Sequence, residues 1–128
     1  MIIGIGIDLC DTERMRSMVD RYGDRFLRRL FTDEELRRCR NRRRLHECLA
    51  GRFAAKEAAV KALGTGLSHG IAWRDVELVG GEAQRPSIQF HRAARRVADY
   101  LRVETVHVSI THDGGAAAAV VVLESRNP

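Results

Sequence analysis

The sequence has few aromatic residues, few cysteines and no long apolar run, and each shortage excludes a class of protein. Aromatic residues make up 5% of the 128 residues and hydrophobic residues 45%, so we expect a core of Val, Ile, Leu and Ala. No apolar run approaches the roughly 18 residues of a membrane span. The first residues form a strand pattern without a basic segment and cleavage site, so we predict no secretion signal.

The three cysteines, Cys10, Cys39 and Cys48, are an odd number and show no pair at zinc-binding spacing. We therefore predict reduced thiols in a cytoplasmic protein. Motifs of the GxxxxGKS or GxxxxGKT type and the Rossmann glycine pattern are also missing. A phosphate-bearing substrate is thus not expected to bind in either of those standard loops.

Length and charge set the scale of the protein and the chemistry of its partner. One continuous pattern of elements over 128 residues predicts a single domain spanning residues 1–128. The 22 Lys+Arg against 17 Asp+Glu give a net charge of +5 and a pI near 9.7. This excess predicts an anionic partner, and nucleic acid, a nucleotide or an acidic protein all fit.

The chain begins with an alternating pattern that predicts a buried strand over residues 2–9. One face carries the large apolar residues Ile3, Ile5, Ile7 and Leu9. The other carries two glycines, which permit close approach of another backbone, and Asp8 near the strand end. A carboxylate there must be paired, cap a helix or hold a cation, and all three stay open. Asp11 or Thr12 can cap the following helix without it.

An Ala-rich stretch, residues 45–63, predicts a long central helix that ends at Gly64. Its apolar stripe consists of Leu49, Phe53, Val60 and Leu63, and Lys56 interrupts it. Glu57 and Lys61 are four residues apart and share one face beside that stripe. The helix pattern alone fits an ordinary surface ion pair as well as a half-buried polar site.

A first helix is predicted from Glu13 to about Leu30, with a break at Gly23. Its apolar positions, which we expect in the core, are Met15, Met18, Tyr22 and Phe26. A row of arginines runs beside them: Arg14, Arg21, Arg25 and Arg28. A solvated face and a docking surface for an acidic partner helix both fit this row.

Two signals mark the region between these helices. Thr32 and Glu35 form a capping box, which predicts a short helix beginning at Asp33. Residues 37–44 contain six arginines, which we expect in a solvated loop, with phosphate binding as the alternative.

The second half of the chain predicts mainly strands. We expect strands over residues 75–79 and 87–90, a helix over 93–101, and a closing hairpin of residues 105–112 and 116–123 with an Asp-Gly turn. His107, Ser109 and Thr111 share one face of a strand predicted to be central, which indicates a polar cleft. His112 fits either a hydrogen-bonded structural histidine or a functional one. The order of elements predicts an α+β fold with mostly antiparallel pairing.

Two carboxylates on separate elements, Asp8 and Glu57, favour Mg²⁺ over zinc. Magnesium usually also takes water and substrate phosphate oxygens, and Lys61 with Arg52 and Lys56 nearby would neutralise those phosphates. This combination is typical of phosphoryl transfer, in which positioning and charge stabilisation supply most of the rate.

Three motifs remain to be interpreted together: Gly4–Asp8 (GIGID), Arg52–Ala58 (RFAAKEA) followed by Lys61–Gly64 (KALG), and His107–His112 (HVSITH). Together they resemble the holo-acyl carrier protein synthase family, the small bacterial 4′-phosphopantetheinyl transferases. The resemblance extends from Met1 to about Glu124. It implies transfer of 4′-phosphopantetheine from coenzyme A to a serine of apo acyl carrier protein, with release of adenosine 3′,5′-bisphosphate.

The resemblance also implies roles for individual residues. Asp8 and Glu57 would hold Mg²⁺ against the pyrophosphate of coenzyme A, Lys61 would contact that pyrophosphate and assist catalysis, and Glu57 is the candidate base. His112 would order the catalytic site. The implied coenzyme A contacts are Arg52, Lys61, Gly64, Pro86 and His107, with Arg42, Arg43 or Arg44 as a second contact to the 3′-phosphate.

The arginine row on the first helix matches the family's docking surface for the acidic acyl carrier protein. The family resemblance further implies a homotrimer with each site at a subunit interface. One departure from the family is Gln84, which stands where the turn before Pro86 usually has glycine.

Two other functions compete with this interpretation. The basic pI fits a nucleic-acid-binding protein, but that function leaves Asp8 and Glu57 unexplained, and the aromatic residues typical of single-strand binders are missing. A Mg²⁺-dependent nuclease would use the same carboxylates without needing coenzyme A. We expect neither nucleic acid nor a membrane as partner.

Overall fold

The computed structural model describes residues 1–40, 44–81 and 84–126. The elements in chain order are β1 (Ile2–Asp11), α1 (Thr12–Leu30), α2 (Asp33–Arg40), α3 (Leu45–Leu63), β2 (Val76–Gly81), β3 (Gln84–Phe90), α4 (Arg92–Tyr100), β4 (Thr105–Asp113) and β5 (Ala116–Glu124). All strand pairs of the described residues are antiparallel, which confirms the predicted α+β class.

The strands form a three-stranded sheet in the order β1-β5-β4 and a separate β2-β3 hairpin. The prediction that β4 is central was wrong, because the first strand pairs with the last: Ile7 lies opposite Val120 of β5. β4 is therefore an edge strand. Its polar residues His107, Ser109 and Thr111 lie on an exposed face rather than between two layers.

α3 packs across the three-stranded sheet at unusually close range. A Cβ on Gly6 would lie 1.8 Å from the Ala58 carbonyl oxygen, and one on Gly4 would lie 2.2 Å from that of Ala62. Only glycine can be accommodated at either position, which confirms the predicted close approach of another backbone. This contact brings β1 and the second half of α3 together, and with them Asp8 and Glu57.

The opposite face of β1 is exposed in the single chain. Ile5, Ile7 and Leu9 keep 62%, 65% and 69% of their surface accessible. Our prediction that β1 is buried on both faces was therefore wrong for this face. Alternation shows that a row of residues is apolar, but it does not show whether the covering surface belongs to the same chain.

α1 begins and bends as predicted. The Asp11 side chain accepts hydrogen bonds from the Glu13 and Arg14 amides at 2.8 and 3.3 Å, and Gly23 takes a non-helical conformation with φ of 69°. Tyr22, directly before the bend, is 53% exposed, so the prediction that it lies in the core was wrong. The buried apolar positions of the helix are Met15, Leu27 and Leu30.

α2 begins at Asp33, as the capping box predicts. The Thr32 amide donates to Glu35 Oε1 at 2.9 Å, and the Glu35 amide donates to Thr32 Oγ1 at 3.2 Å. The helix continues to Arg40, so the predicted arginine loop was wrong over residues 37–40. Arg42 and Arg43 lie outside the described residues.

Cys39 in α2 and Cys48 in α3 form a disulfide with their Cα atoms 5.6 Å apart. The prediction of three reduced thiols was therefore wrong. Cysteine spacing did not reveal the bond, because the two residues meet only when α2 packs beside α3. Cys10 is the one free cysteine in the part of the chain that the structure describes. None of the described helices combines the length and the apolar character needed to cross a bilayer.

Candidate active site

The centre of the candidate site is a contact between β1 and α3. Lys61 Nζ donates hydrogen bonds to Asp8 Oδ1 at 2.8 Å and to the Ile7 carbonyl oxygen at 3.3 Å. Lys61 is 52% exposed, whereas the Asp8 side chain is 14% exposed. The hydrogen bond to Asp8 raises the pKa of Lys61, so the ammonium group stays charged and accessible to an anion.

The second carboxylate oxygen of Asp8, Oδ2, accepts no hydrogen bond from a lysine or arginine in the described part of the chain. Oδ2 is buried and receives no hydrogen bond from any described residue unless Glu57 carries a proton. Burial raises the pKa of Glu57 to about 7, with a hydrogen bond to Asp8 and the negative charge of Asp8 adding to the shift. Burial also acts to raise the pKa of Asp8, but hydrogen bonds from Glu57 and Lys61 outweigh it, and the net pKa is lowered.

Two carboxyl groups held this close need a positive charge or a shared proton between them. Oxygen ligands of this type suit Mg²⁺, which retains water and substrate oxygens as its other ligands. Among the described residues no group of three His, Cys, Asp or Glu side chains could hold a metal. Asp8 and Glu57 therefore fit a divalent cation that a phosphate-bearing substrate helps to bind.

Cys10 borders this centre and was not singled out from the sequence. Burial raises the pKa of its thiol to about 11, and the negative charges of Glu57 and Asp8 add to the shift. The thiol is therefore neutral at physiological pH. Nothing in the sequence pattern indicated this position, since a lone cysteine two residues after Asp8 carries no spacing signal.

Lys56 does not point to the site, although we expected it to help neutralise phosphates. Its side chain is fully buried, and Nζ donates to Glu35 Oε1 at 2.7 Å and to the Val76 carbonyl oxygen at 2.6 Å. Burial lowers the pKa of Lys56, while the charge of Glu35 opposes that shift. The helix pattern predicted the position of Lys56 on α3, but it did not predict that the buried carboxylate of Glu35 accepts a hydrogen bond from Lys56.

Arg52 lies in the first half of α3, and Arg44 is the residue directly before this helix. Arg52 is 7% exposed, and its guanidinium donates to the Gly80 carbonyl oxygen at 3.2 Å. It also contacts Cys48 Sγ at 3.5 Å, beside the disulfide. Arg44 is exposed and pairs with Glu47 at 3.5 Å. Arg52 is thus more buried than an arginine that only contacts a nucleotide at the protein surface.

His107 and Pro86 lie away from the Asp8 centre of the same chain. They line an open groove of about 550 Å³ between β3 and β4, together with Arg85, Ser87 and Ser109. Asp8 lies opposite the buried residue Ala119 and faces α3, whereas His107 lies opposite Val122 on the exposed face. One chain therefore does not bring Asp8 and His107 into one site.

His112 lies against the first turns of α3. Its Nε2 lies 3.0 Å from the Glu47 carbonyl oxygen, and a Cβ on Gly51 would come within 2.8 Å of that nitrogen. Glu47 precedes Glu57 by ten residues, or about 15 Å along the helix axis. The structure therefore places His112 as a hydrogen-bonded neighbour of α3, and its role in catalysis stays a prediction.

Gly64 ends α3 in the left-handed conformation, with φ of 81°. This agrees with the predicted helix end and places the following loop three residues after Lys61. On α1, the predicted docking arginines are all exposed: Arg14, Arg21, Arg25 and Arg28.

The chain was compared with known proteins. Residues 4–121 match the family model described as the 4′-phosphopantetheinyl transferase superfamily. The chain is 47% identical over 122 residues to a holo-acyl carrier protein synthase of Desulforudis audaxviator, covering 95% of this chain and 92% of the relative. It is 46% identical over 129 residues to the enzyme of that name in Methylobacterium radiotolerans, covering 98% and 95%.

The fold of this chain is similar to that of solved structures. The crystal structure of the holo-acyl carrier protein synthase of Neisseria meningitidis matches with a TM-score of 0.89 and 30% identity, covering 98% of this chain and all of that one. The Helicobacter pylori enzyme of the same name, in complex with coenzyme A, matches with a TM-score of 0.81 and 32% identity. That match covers 94% of this chain and 99% of the other.

Proposed function

Since the chain belongs to the 4′-phosphopantetheinyl transferase superfamily, we propose that Asp8, Glu57 and Lys61 form the catalytic centre of a holo-acyl carrier protein synthase. The protein transfers 4′-phosphopantetheine from coenzyme A to a serine of apo acyl carrier protein and leaves adenosine 3′,5′-bisphosphate. The observation that carries the assignment of the centre is the largely buried carboxylate of Asp8, which lies between the Glu57 carboxyl group and the Lys61 ammonium group.

Asp8 and Glu57 are the residues that would hold Mg²⁺. The bound cation would neutralise negative charge on the pyrophosphate as the phosphoanhydride bond breaks. Lys61 is exposed and charged beside Asp8, so it contacts the same pyrophosphate. Asp8 in turn orients the Lys61 ammonium through the 2.8 Å hydrogen bond.

Glu57 is the candidate base for the serine hydroxyl. In the metal-free protein its pKa is about 7, which lies in the range in which a carboxylate can accept a proton near neutral pH. Glu57 accepts the proton directly or through a water, and the serine oxygen then attacks the β-phosphorus of coenzyme A. His112 supports this arrangement by holding the edge of β4 against α3 through its hydrogen bond to Glu47.

Two of the proposed coenzyme A contacts, His107 and Pro86, come from a neighbouring copy of the chain. His107 and Pro86 line a groove that does not meet the Asp8 centre of the same chain, so each complete site combines Asp8 of one copy with His107 of another. Arg52 is the proposed contact to the 3′-phosphate, with Arg42, Arg43 or Arg44 as the second, and Gly64 is a further proposed contact to coenzyme A. The exposed apolar face of β1 supports an oligomer, because a large apolar face on a single chain indicates an interface, and the homotrimer is the oligomer that the family resemblance implies.

Apo acyl carrier protein docks on the exposed arginines of α1. Arg14, Arg21, Arg25 and Arg28 present a row of positive charge that complements an acidic helix. The positive charge of Arg14 acts to lower the pKa of Glu57, so this surface begins beside the catalytic carboxylates. We place the reaction in the cytoplasm, where coenzyme A and apo carrier protein meet.

Metal dependence tests this proposal. Transfer should stop when EDTA is added and return when Mg²⁺ is restored in excess. Transfer that continues after exhaustive chelation would contradict the cation site at Asp8 and Glu57. Binding of coenzyme A measured by calorimetry, with wild type compared with Asp8→Ala/Glu57→Ala, would then show whether the carboxylates contribute to substrate binding at all.

A further inference from the structure

The ion pair between Lys56 and Glu35 lies in the core and takes no part in the mechanism described above. Both side chains are fully buried. Glu35 Oε1 accepts from Lys56 Nζ at 2.7 Å and from the Thr32 amide at 2.9 Å, while Oε2 accepts from the Leu78 amide at 2.9 Å. The Lys56 ammonium also donates to the Val76 carbonyl oxygen and lies 5.6 Å from the Phe31 ring centroid.

Such a pair is a poor device for stability alone. Removing two charges from water costs several kcal/mol per ion, and apolar side chains of similar volume are often at least as stabilising. Buried ionic groups are best attested where they select one arrangement among several that packing would allow. The question is therefore which arrangement this pair selects.

α3 is a helix whose rotation is weakly determined by its own side chains. Small buried residues cover much of its surface: Ala50, Ala54, Ala55, Ala58, Ala59 and Ala62. Alanines present little relief against a neighbouring element, so they resist rotation of the helix less than interlocking large side chains do. The glycine contacts of β1 hold one side of α3, and the Lys56 ammonium holds another by bonding to α2 and β2.

We propose that the buried Lys56–Glu35 pair is a positioning device that fixes the rotation of α3 and so holds Glu57 against Asp8. Glu57 directly follows Lys56 and projects about 100° around the helix from it, toward β1 instead of β2. A rotation of about 10° moves an atom about 6 Å from the helix axis by about 1 Å. A displacement of that size at a reacting group costs about 100-fold in rate. The proposal rests on the role assigned to Glu57.

The test removes both charges while keeping the α2 cap. In Glu35→Gln/Lys56→Met the glutamine oxygen keeps the capping bond from the Thr32 amide, and the methionine fills the volume of the lysine stem. The glutamine nitrogen cannot accept from the Leu78 amide and the Val76 carbonyl oxygen loses the lysine, so we expect this variant to fold with a melting temperature below that of the wild type. Its kcat should fall about 100-fold, while the KM for coenzyme A should rise by a smaller factor, because the proposed contacts at Pro86 and His107 do not lie on α3.

A second readout is independent of turnover. Mn²⁺ is a paramagnetic substitute for Mg²⁺, and its binding can be followed by the loss of the free-ion electron paramagnetic resonance signal. Mn²⁺ should bind the double variant about tenfold more weakly, because Glu57 no longer faces Asp8. The matched control is Asp75→Asn/Arg92→Met, which removes another ion pair with a buried carboxylate, since Asp75 bonds to Arg92 and to the Ala72 amide and neither partner belongs to α3. It should behave like the wild type in kcat and in Mn²⁺ affinity.

A folded Glu35→Gln/Lys56→Met variant with wild-type kcat and wild-type Mn²⁺ affinity overturns the proposal. If the double variant does not fold, Glu35→Gln alone decides, because it keeps Lys56 and its bond to Val76 and should show a smaller loss of the same two quantities. Unchanged kcat and Mn²⁺ affinity in that variant also overturn the proposal. A wild-type protein that transfers no phosphopantetheine refutes the proposed function, whereas the Mn²⁺ affinities still decide the role of the pair.

Discussion

Lys61 donates a 2.8 Å hydrogen bond to Asp8 across 53 residues of sequence. The contact exists because Gly4 and Gly6 let β1 approach the backbone of α3. It leaves one Asp8 oxygen buried and facing Glu57, and it leaves the Lys61 ammonium exposed. A pair of carboxylates with an adjacent cation thus results from the packing of one strand on one helix.

The shifted pKa of Glu57 predicts how the stability of the metal-free protein depends on pH. Because the folded-state pKa is raised from 4.5 to about 7, the folded protein binds more protons than the unfolded chain between these values. The free energy of unfolding therefore falls as the pH rises through that window. Glu57→Gln has no carboxyl group to ionise at this position, so it does not lose this stability as the pH rises. In EDTA, its melting temperature relative to the wild type should therefore be higher at pH 8 than at pH 4.5.

Asp20→Asn, which removes an exposed carboxylate of α1, is the control for this comparison. Its melting temperature should differ from that of the wild type by the same amount at both pH values. An equal difference for Glu57→Gln would mean that Glu57 is not held as a protonated group beside Asp8.

Charge reversal on α1 should act on one substrate only. Arg14→Glu or Arg21→Glu should raise the KM for apo acyl carrier protein about tenfold, since like charges then face each other at the docking surface. The KM for coenzyme A should stay near its wild-type value. Steady-state kinetics with each substrate varied in turn measure both constants.

Arg96→Glu is the matched control, because Arg96 is an exposed arginine on α4. It should alter neither constant. Equal increases in both KM values for the α1 variants would count against docking on that helix.

A site shared between copies predicts that two defective variants restore each other. Asp8→Asn and His107→Ala should each be nearly inactive alone. Coexpression with different affinity tags gives mixed oligomers, and in every mixed trimer about a third of the interfaces, one of the three, combine an intact Asp8 with an intact His107. Activity of the doubly purified species near that fraction of the wild type supports the shared site, and activity no higher than in the separate variants argues that each chain forms its own.

The disulfide between Cys39 and Cys48 predicts a stability that depends on reducing agent. It closes a short loop between α2 and α3, and bonds of this kind contribute about 2–4 kcal/mol to the free energy of unfolding. Urea unfolding with and without a dithiol should show a loss of that size in the wild type. Cys39→Ser/Cys48→Ser should be insensitive to the dithiol, and a wild type that is equally insensitive would contradict the bond.

Much of the fold was predictable because local signals and packing agree. The capping box at Thr32 and Glu35, the left-handed glycine at Gly64 and the glycine face of β1 each correspond to a contact in the structure. Glu57 and Lys61 could be placed on one helix face from their spacing, and the structure places Asp8 beside both.

The features that were missed depend on which elements meet. A lysine within an apolar stripe looks the same whether it reaches solvent or a buried carboxylate, so the sequence did not reveal the pairing of Lys56 with Glu35. β4 looked central because its partner strands could not be read from its own residues. The exposed face of Ile5 and Ile7 has the alternation of a core strand, and alternation alone does not show whether a face is covered within the same chain.

The most direct test of the account is the intact mass of apo acyl carrier protein after incubation with coenzyme A and Mg²⁺. Wild-type protein should add the mass of one phosphopantetheine group, and an EDTA control should show no addition. Glu57→Gln should remain folded by circular dichroism and should slow the addition at least about 100-fold, because it removes both a cation ligand and the candidate base. Carrier proteins that gain no mass with folded wild-type protein and Mg²⁺ would contradict the proposed reaction, and full activity of Glu57→Gln would contradict the proposed centre.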